Sequence, residues 1–261
     1  MIRVNGVLID QPERGWTLLP DSELFSGVSS VFSRVDVAGR DGSLMLPGKA
    51  SPAVVSIRVH CSMAMYPALL ALFRGQDLTL TRDDFPALSA QGRMLSISTD
   101  RVGIAVDWID VTVVVELPGA YWRAKSLSTA VIPLTAASAQ ADVLAGMTAP
   151  VQDALIRVTG ASGVVVTDSA GSWVQFPTVA AGQYVRFDAS TGRAYRTTTD
   201  TWTGGTEVSG QVDFGGPRTL FEITHVLNPS TLTTTGHLTV TSTTRESGAA
   251  VSVRARTAHA I

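Results

Sequence analysis

Apolar and polar residues alternate over several stretches of the first half of the chain. Val55, Ile57, Val59 and Cys61 alternate with Ser56, Arg58 and His60; Leu78 and Leu80 with Thr79 and Thr81; Leu95 and Ile97 with Ser96 and Ser98. The longest run sets Ile109, Val111, Val113, Val115 and Leu117 against Asp110, Thr112, Val114 and Glu116. A period of two sends successive side chains to opposite faces of a strand, so the first set in each run is expected on a core face. One segment breaks the rule. Between Pro67 and Arg74, Leu69, Leu72 and Phe73 fall on a single helical stripe, Pro67 suits a first turn, and Gly75 offers a stop. So short a helix needs a sheet to pack on.

Beyond Gly119-Ala120-Tyr121-Trp122-Arg123 the periodicity weakens. Ser126 to Gly146 is rich in Ala, Ser and Thr and contains Pro133, which reads as a crossover between two domains, residues 1–146 and 147–261, with room for strands within it or for an edge strand of the first domain. Strand signals then resume around Ala154–Val158, Val164–Val166, Val174–Phe176, Tyr184–Phe187, Leu220–Leu227, Leu238–Val240 and Val251–Arg254. Turn formers separate them, such as Asp168-Ser169-Ala170-Gly171 and Gly215-Gly216-Pro217. Short strands with these breaks predict a sandwich or jelly roll, with Trp173, Phe176, Tyr184, Phe187 and Phe221 in its core. The fold class is therefore mainly β.

Composition narrows the chemistry. Charged residues make up only 16% of the 261, and the net charge is -2. Neither half carries the basic excess that phosphate-backbone binding uses. Cys61 is the single cysteine, which excludes an internal disulfide, and its phase with Val55–Val59 predicts a buried thiol. Met1-Ile2-Arg3-Val4 does not read as a signal peptide, and no apolar run is long enough for a bilayer.

Catalytic signatures are not found, so no catalytic, cofactor-binding or metal-binding residue is assigned. Gly39-Arg40-Asp41-Gly42 lacks both the dinucleotide glycine spacing and the phosphate-loop lysine. His60 and Cys61 point to opposite faces of one strand; His225 shares a phase with Phe221 and Ile223 and is expected to be packed. His237 and His259 are expected at the surface. Asp83 and Asp84 read as a solvated loop, and the spacing of Asp107 and Asp110 on a strand separates them across its faces.

Val35-Asp36-Val37-Ala38-Gly39-Arg40-Asp41-Gly42 resembles the signature turn near the start of siphophage distal tail proteins, with Ala38 where that family often has proline. The resemblance continues through Val55–Cys61, the short helix and Glu116-Leu117-Pro118-Gly119. Pro150-Val151-Gln152-Asp153, Gly182–Asp188, Gly216-Pro217 and Gly236–Val240 resemble the galectin-like carboxyl-terminal domain of that family. The resemblance implies a β-rich first domain with one helix, followed by a galectin-like β-sandwich. It also implies a homohexameric ring between the tail tube protein and the tail-tip hub, at the virion tail tip after assembly in the host cytoplasm. DNA would pass through the lumen without specific binding, no membrane or cofactor would be involved, and peripheral receptor-binding components would be further partners. Gly39, Arg40, Asp41 and Gly42 are then candidates for the ring interface. Two other readings stay open: a different minor tail or baseplate protein, and a carbohydrate-binding module using Trp173, Tyr195 or Trp202.

Overall fold

The computed structural model describes residues 1–25, 30–36, 43–75, 77–101, 107–217 and 220–261; the side chains of 30–36, 43–49 and 101 lie outside that description. The chain divides into two units: residues 1–125 with 259–261, and residues 126–258.

Unit 1 contains β1 (Ile2–Val4), β2 (Val7–Leu8), β3 (Trp16–Leu18), β4 (Ser30–Asp36), β5 (Ser43–Ala50) and β6 (Ala53–Ser62). Helix α1 (Tyr66–Phe73) follows, then β7 (Leu78–Arg82), β8 (Leu88–Arg101), β9 (Trp108–Leu117) and β10 (Trp122–Ala124). The main sheet runs β2-β1-β7-β8-β9-β6-β3. Its centre is the long alternation foreseen from sequence. Val55, Ile57, Val59 and Cys61 on β6 stand opposite Val115, Val113, Val111 and Ile109 on β9. All eight are buried, because antiparallel register brings each core position against another on the same face. Helix α1 covers this face with Leu69 and Phe73, both fully buried, while Leu72 is only partly so. Pro67 sits in its first turn, where no intrahelical N–H bond is lost.

Strand β8 takes part in three pairings, Leu88 and Ser89 with β10 among them. Ala90, Gln91 and Gly92 pair with β7, whereas Arg93 onward pairs with β9. The register slips between Met94 and Ser96, leaving Leu95 as an extra residue that is 62% exposed. Gly92 lies at this changeover. A β-carbon there would stand 2.6 Å from Val115 Cγ1 and 3.1 Å from the Glu116 carbonyl oxygen. Gly92→Ala is therefore expected to destabilise the unit by about 1–3 kcal/mol through overpacking, read by urea unfolding. Wild-type stability in that variant would show that Val115 moves aside without strain.

His259–Ile261 return to unit 1, where Ile261 packs on the core. Burial, and then the charge of Arg123, hold the His259 imidazole below its ordinary value. An unfolded histidine, titrating near about 6.5, thus takes up its proton first as pH falls. The stability contribution is fully present above the unfolded value and is lost as pH falls below it toward the depressed folded value. Unfolding of wild type and His259→Gln across that interval is expected to give a flatter pH profile for the variant. Identical slopes would contradict the assignment.

Unit 2 begins at Ser126. The stretch read from sequence as a crossover supplies two of its strands, β11 (Ser128–Pro133) and β12 (Ser138–Val143). Only Ile132 and Val143 are buried in them, so small and polar residues hid their alternation. Then come β13 (Leu155–Ser162), β14 (Val165–Asp168), β15 (Trp173–Gln175), β16 (Val179–Asp188) and β17 (Arg193–Thr197). The last five are β18 (Thr206–Glu207), β19 (Asp213–Gly215), β20 (His225–Asn228), β21 (Thr233–Thr241) and β22 (Thr244–Ala255).

One sheet runs β11-β22-β13-β16-β17-β18 and the other β12-β21-β14-β15-β19, with β20 beside β21. Both are antiparallel, and each has a buried face: Ile156, Val158, Val185, Phe187, Val251 and Val253 in the first, Val166, Val174, Leu238 and Val240 in the second. This is a β-sandwich. A register shift interrupts β13 between Thr159 and Ala161 on both of its edges, where Gly160 takes a φ of 63°. Asp168 ends β14 with a buried carboxylate, accepting the Ala170 N–H at 2.9 Å and the Thr224 N–H at 3.0 Å. It thereby closes the turn that its sequence suggested.

Three expectations about this unit need correction. Phe176, Phe187 and Phe221 are core, but Trp173 and Tyr184 are only half-buried. Tyr184 falls on the outward phase of β16, opposite Thr159. His225 is exposed, because all four residues of β20 run along a hairpin with no covering layer.

Candidate functional site

The turn Gly39, Arg40, Asp41 and Gly42 lies outside the described residues. Flanking it, β4 and β5 pair with one another from Ser30↔Ala50 to Asp36↔Ser43, with a register shift between Val31 and Ser33. This ribbon is a separate two-stranded sheet. A two-stranded ribbon is marginal by itself in water, and the outer edges of both strands carry backbone donors and acceptors. Among the described pairings neither outer edge is joined to another strand.

Several charged and polar side chains in unit 1 are held in pairs. Arg82, buried, donates from Nε to Asp84 Oδ1 at 3.0 Å and from Nη1 to the Leu24 carbonyl at 2.8 Å, with Phe25 stacked 4.1 Å from its guanidinium. The hydrogen bond from Arg82 holds the Asp84 carboxyl below its usual range. Asp83 pairs with Arg3 at 3.1 Å. His60 Nδ1 lies 2.7 Å from Asp110 Oδ1, and its ring stacks on Trp108 at 4.9 Å. Arg3 and His60 stand on the outward phases of β1 and β6, whereas Arg82 shares the inward phase of Leu78 and Leu80 at the end of β7; none of these pairs adds a nucleophile or a second acid. Cys61 is fully buried, and burial raises its thiol above the ordinary value, so it is the inert group its phase suggested. Among the described residues, no group of three or more His, Cys, Asp or Glu could hold a metal ion, and no helix is long and apolar enough to cross a membrane.

Unit 2 gathers aromatic and cationic side chains on the outward face of the β11–β18 sheet. Trp202 and Tyr195, flagged in sequence as carbohydrate-binding candidates, are both here, whereas Trp173 lies on the other sheet. The guanidinium of Arg157 sits 4.4 Å from the Trp202 ring and 4.9 Å from Tyr184, and that of Arg186 sits 5.0 Å from Tyr195. Sequence could supply these residue types but not their convergence, which arises from the cross-strand register of β13, β16 and β17.

The fold and these surfaces define a class: a two-unit, mainly β protein whose exposed features are ribbons, edges and paired charges. Compared with solved structures, the chain is similar to the crystal structure of the Dit protein of phage SPP1, with a TM-score of 0.59 and 11% identity over 98% of each chain. That structure is described as a paradigm of the hub adsorption apparatus of phages infecting Gram-positive bacteria. The chain thus has the fold of a phage distal tail protein along nearly its whole length. Chains from the activated baseplate of phage P2, with calcium and with strontium, align over 92% of this chain and 90% of theirs at 10% identity. Their TM-scores of 0.34 and 0.35 are too low to bear on the fold. No family model and no curated protein matches the sequence.

Proposed function

We propose that this chain is the distal tail protein of a siphophage, a structural part of the tail tip and not an enzyme. Six copies close a ring through unit 1, the ring joins the tail tube protein to the tail-tip hub, and DNA crosses its lumen without specific contacts. Unit 2 is left to meet peripheral or receptor-binding components. The observation that carries this reading is the shared fold with the SPP1 Dit protein across 98% of both chains. The resemblance of Val35–Gly42 to the family's signature turn agrees with it.

The β4–β5 ribbon supports the ring in physical terms. A ring closes by one heterologous contact repeated around an axis, in which a surface of one copy meets a different surface of the next. The ribbon supplies one such surface, and Gly39–Gly42 falls between its strands in sequence. The low charge of the chain, -2 overall, suits a lumen that neither grips nor strongly repels duplex DNA.

Antibody raised against the purified chain tests the placement. Electron microscopy of labelled virions is expected to show the label at the tip of the tail, opposite the head. Label along the whole tube, on the head, or absent from intact virions would overturn it.

A further inference from the structure

On the outward face of the β11–β18 sheet, Arg157 of β13 and Arg186 of β16 are direct register partners. Like charges placed opposite one another destabilise a sheet, and a buried charge is costly unless it is paired. Both arginines are more than nine-tenths covered, at 8% and 9% exposure. Their compensation is unequal. Arg157 forms an ion pair with Asp200 and donates to the Thr201 carbonyl at 3.3 Å, beneath Trp202 and Tyr184.

Arg186 has far less. Its Nη2 reaches the Gly204 carbonyl only at 3.4 Å, and its Nε is buried with no hydrogen-bond partner. Two carboxylates on neighbouring strand positions are committed elsewhere. Asp188 Oδ1 accepts the N–H and hydroxyl of Ser190 at 2.9 and 2.6 Å, and Glu207 Oε1 accepts the Ser209 hydroxyl at 2.9 Å. A guanidinium presents a planar fork of donors that matches the oxygens of a carboxylate or phosphate. The residues above this fork belong to the loop 198–205, tied down through Asp200, whose side chain is 65% exposed.

We propose that Arg186 and Arg157 form a binding site for an oxyanion, the carboxylate of an acidic sugar or the phosphate of a polyol phosphate. The half-buried rings of Tyr184, Tyr195 and Trp202 flank the ligand's uncharged part. Asp200 acts as an internal counter-ion that an arriving oxyanion displaces from Arg157, so the loop 198–205 is both cover and competitor. Arg186 is the primary ligand, because its donors are the least engaged. This site does not depend on the tail-tip reading.

The test is thermal unfolding and calorimetry of the full chain with glycerol 3-phosphate, galacturonate or uncharged galactose, at ionic strength matched with sodium chloride. At least one of the two acids is expected to bind and raise Tm, and the tighter of the two identifies the phosphate or carboxylate source. Galactose is expected to do neither. Arg186→Gln is expected to weaken binding about tenfold or more, with Arg186→Lys intermediate. Asp200→Asn, at an exposed side chain, is expected to strengthen binding severalfold by removing the competitor. The proposal is overturned if neither acid binds, if galactose binds as well as the acids, or if Arg186→Gln binds like wild type. Should Arg186→Gln not fold, an Asp200→Asn variant that binds no tighter than wild type overturns it instead.

Discussion

Replacing Trp122 with alanine is expected to lower the unfolding free energy of unit 1 by about 3–5 kcal/mol. Trp122 is fully buried and is among the largest side chains wholly enclosed in the structure. It opens β10, whose next residues, Arg123 and Ala124, pair with Ser89 and Leu88 of β8. The indole joins the same core as Val113, Ile57 and Phe73. Truncation loses the transfer free energy of a whole ring system and leaves a cavity that a β-sheet closes poorly. Since domains are stable by only about 5–15 kcal/mol, much of the margin would go. Trp122→Phe is expected to cost much less. It keeps most of the apolar volume and removes an indole N–H that is buried without a hydrogen-bond partner. Denaturant unfolding of both variants checks the pair. A loss below about 1 kcal/mol for the alanine variant would show that neighbouring side chains fill the space.

The matching experiment in unit 2 is Phe187→Ala, again with an expected loss of about 3–5 kcal/mol. Phe187 is fully buried on β16, with Ile156 of β13 on one side and Ala194 of β17 on the other. Its ring meets Phe214 of the opposite sheet at 5.2 Å and 46°, a tilted aromatic contact across the sandwich. The small Ala194 beside it has only a methyl group, which cannot swing into the vacated volume, so collapse should be incomplete. Phe187→Leu keeps the apolar character and is expected to cost about 1–2 kcal/mol, mainly the aromatic contact and residual space. Equal stability of the two variants would place the effect outside packing.

These two side chains also mark what the sequence could reveal. Phe187 sits in the alternating segment Tyr184–Phe187, and its burial follows from period and phase. The same logic found β6, β9 and helix α1, where strong alternation or a single apolar stripe leaves one solution. Trp122 was not anticipated, because three residues of strand carry no measurable period. Strands within Ser126–Gly146 were open from sequence, but the bounds of β11 and β12 and their place in unit 2 were not legible, for a related reason. Each buries one large residue, and Ala, Ser and Thr along the rest give no contrast between faces. Aromatic bulk, taken as a sign of burial without regard to phase, misassigned Tyr184 and Trp173, which stand on the opposite parity from Phe187 and Val174 and are half-buried by neighbours from other strands. The arginine site lies furthest from sequence. Nothing in Arg157 or Arg186 indicates that they face one another, and Asp200 and Trp202 reach Arg157, as Gly204 reaches Arg186, only through the return of a loop.

Ring formation is tested most directly by the mass of the purified full chain in solution, with particle images of the same sample. A hexamer is expected near about 165 kDa, six times the chain's 27.5 kDa, forming rings with a lumen wide enough for duplex DNA. A species that stays at 27.5 kDa at every concentration, and does so in the presence of the tail tube protein, would contradict it.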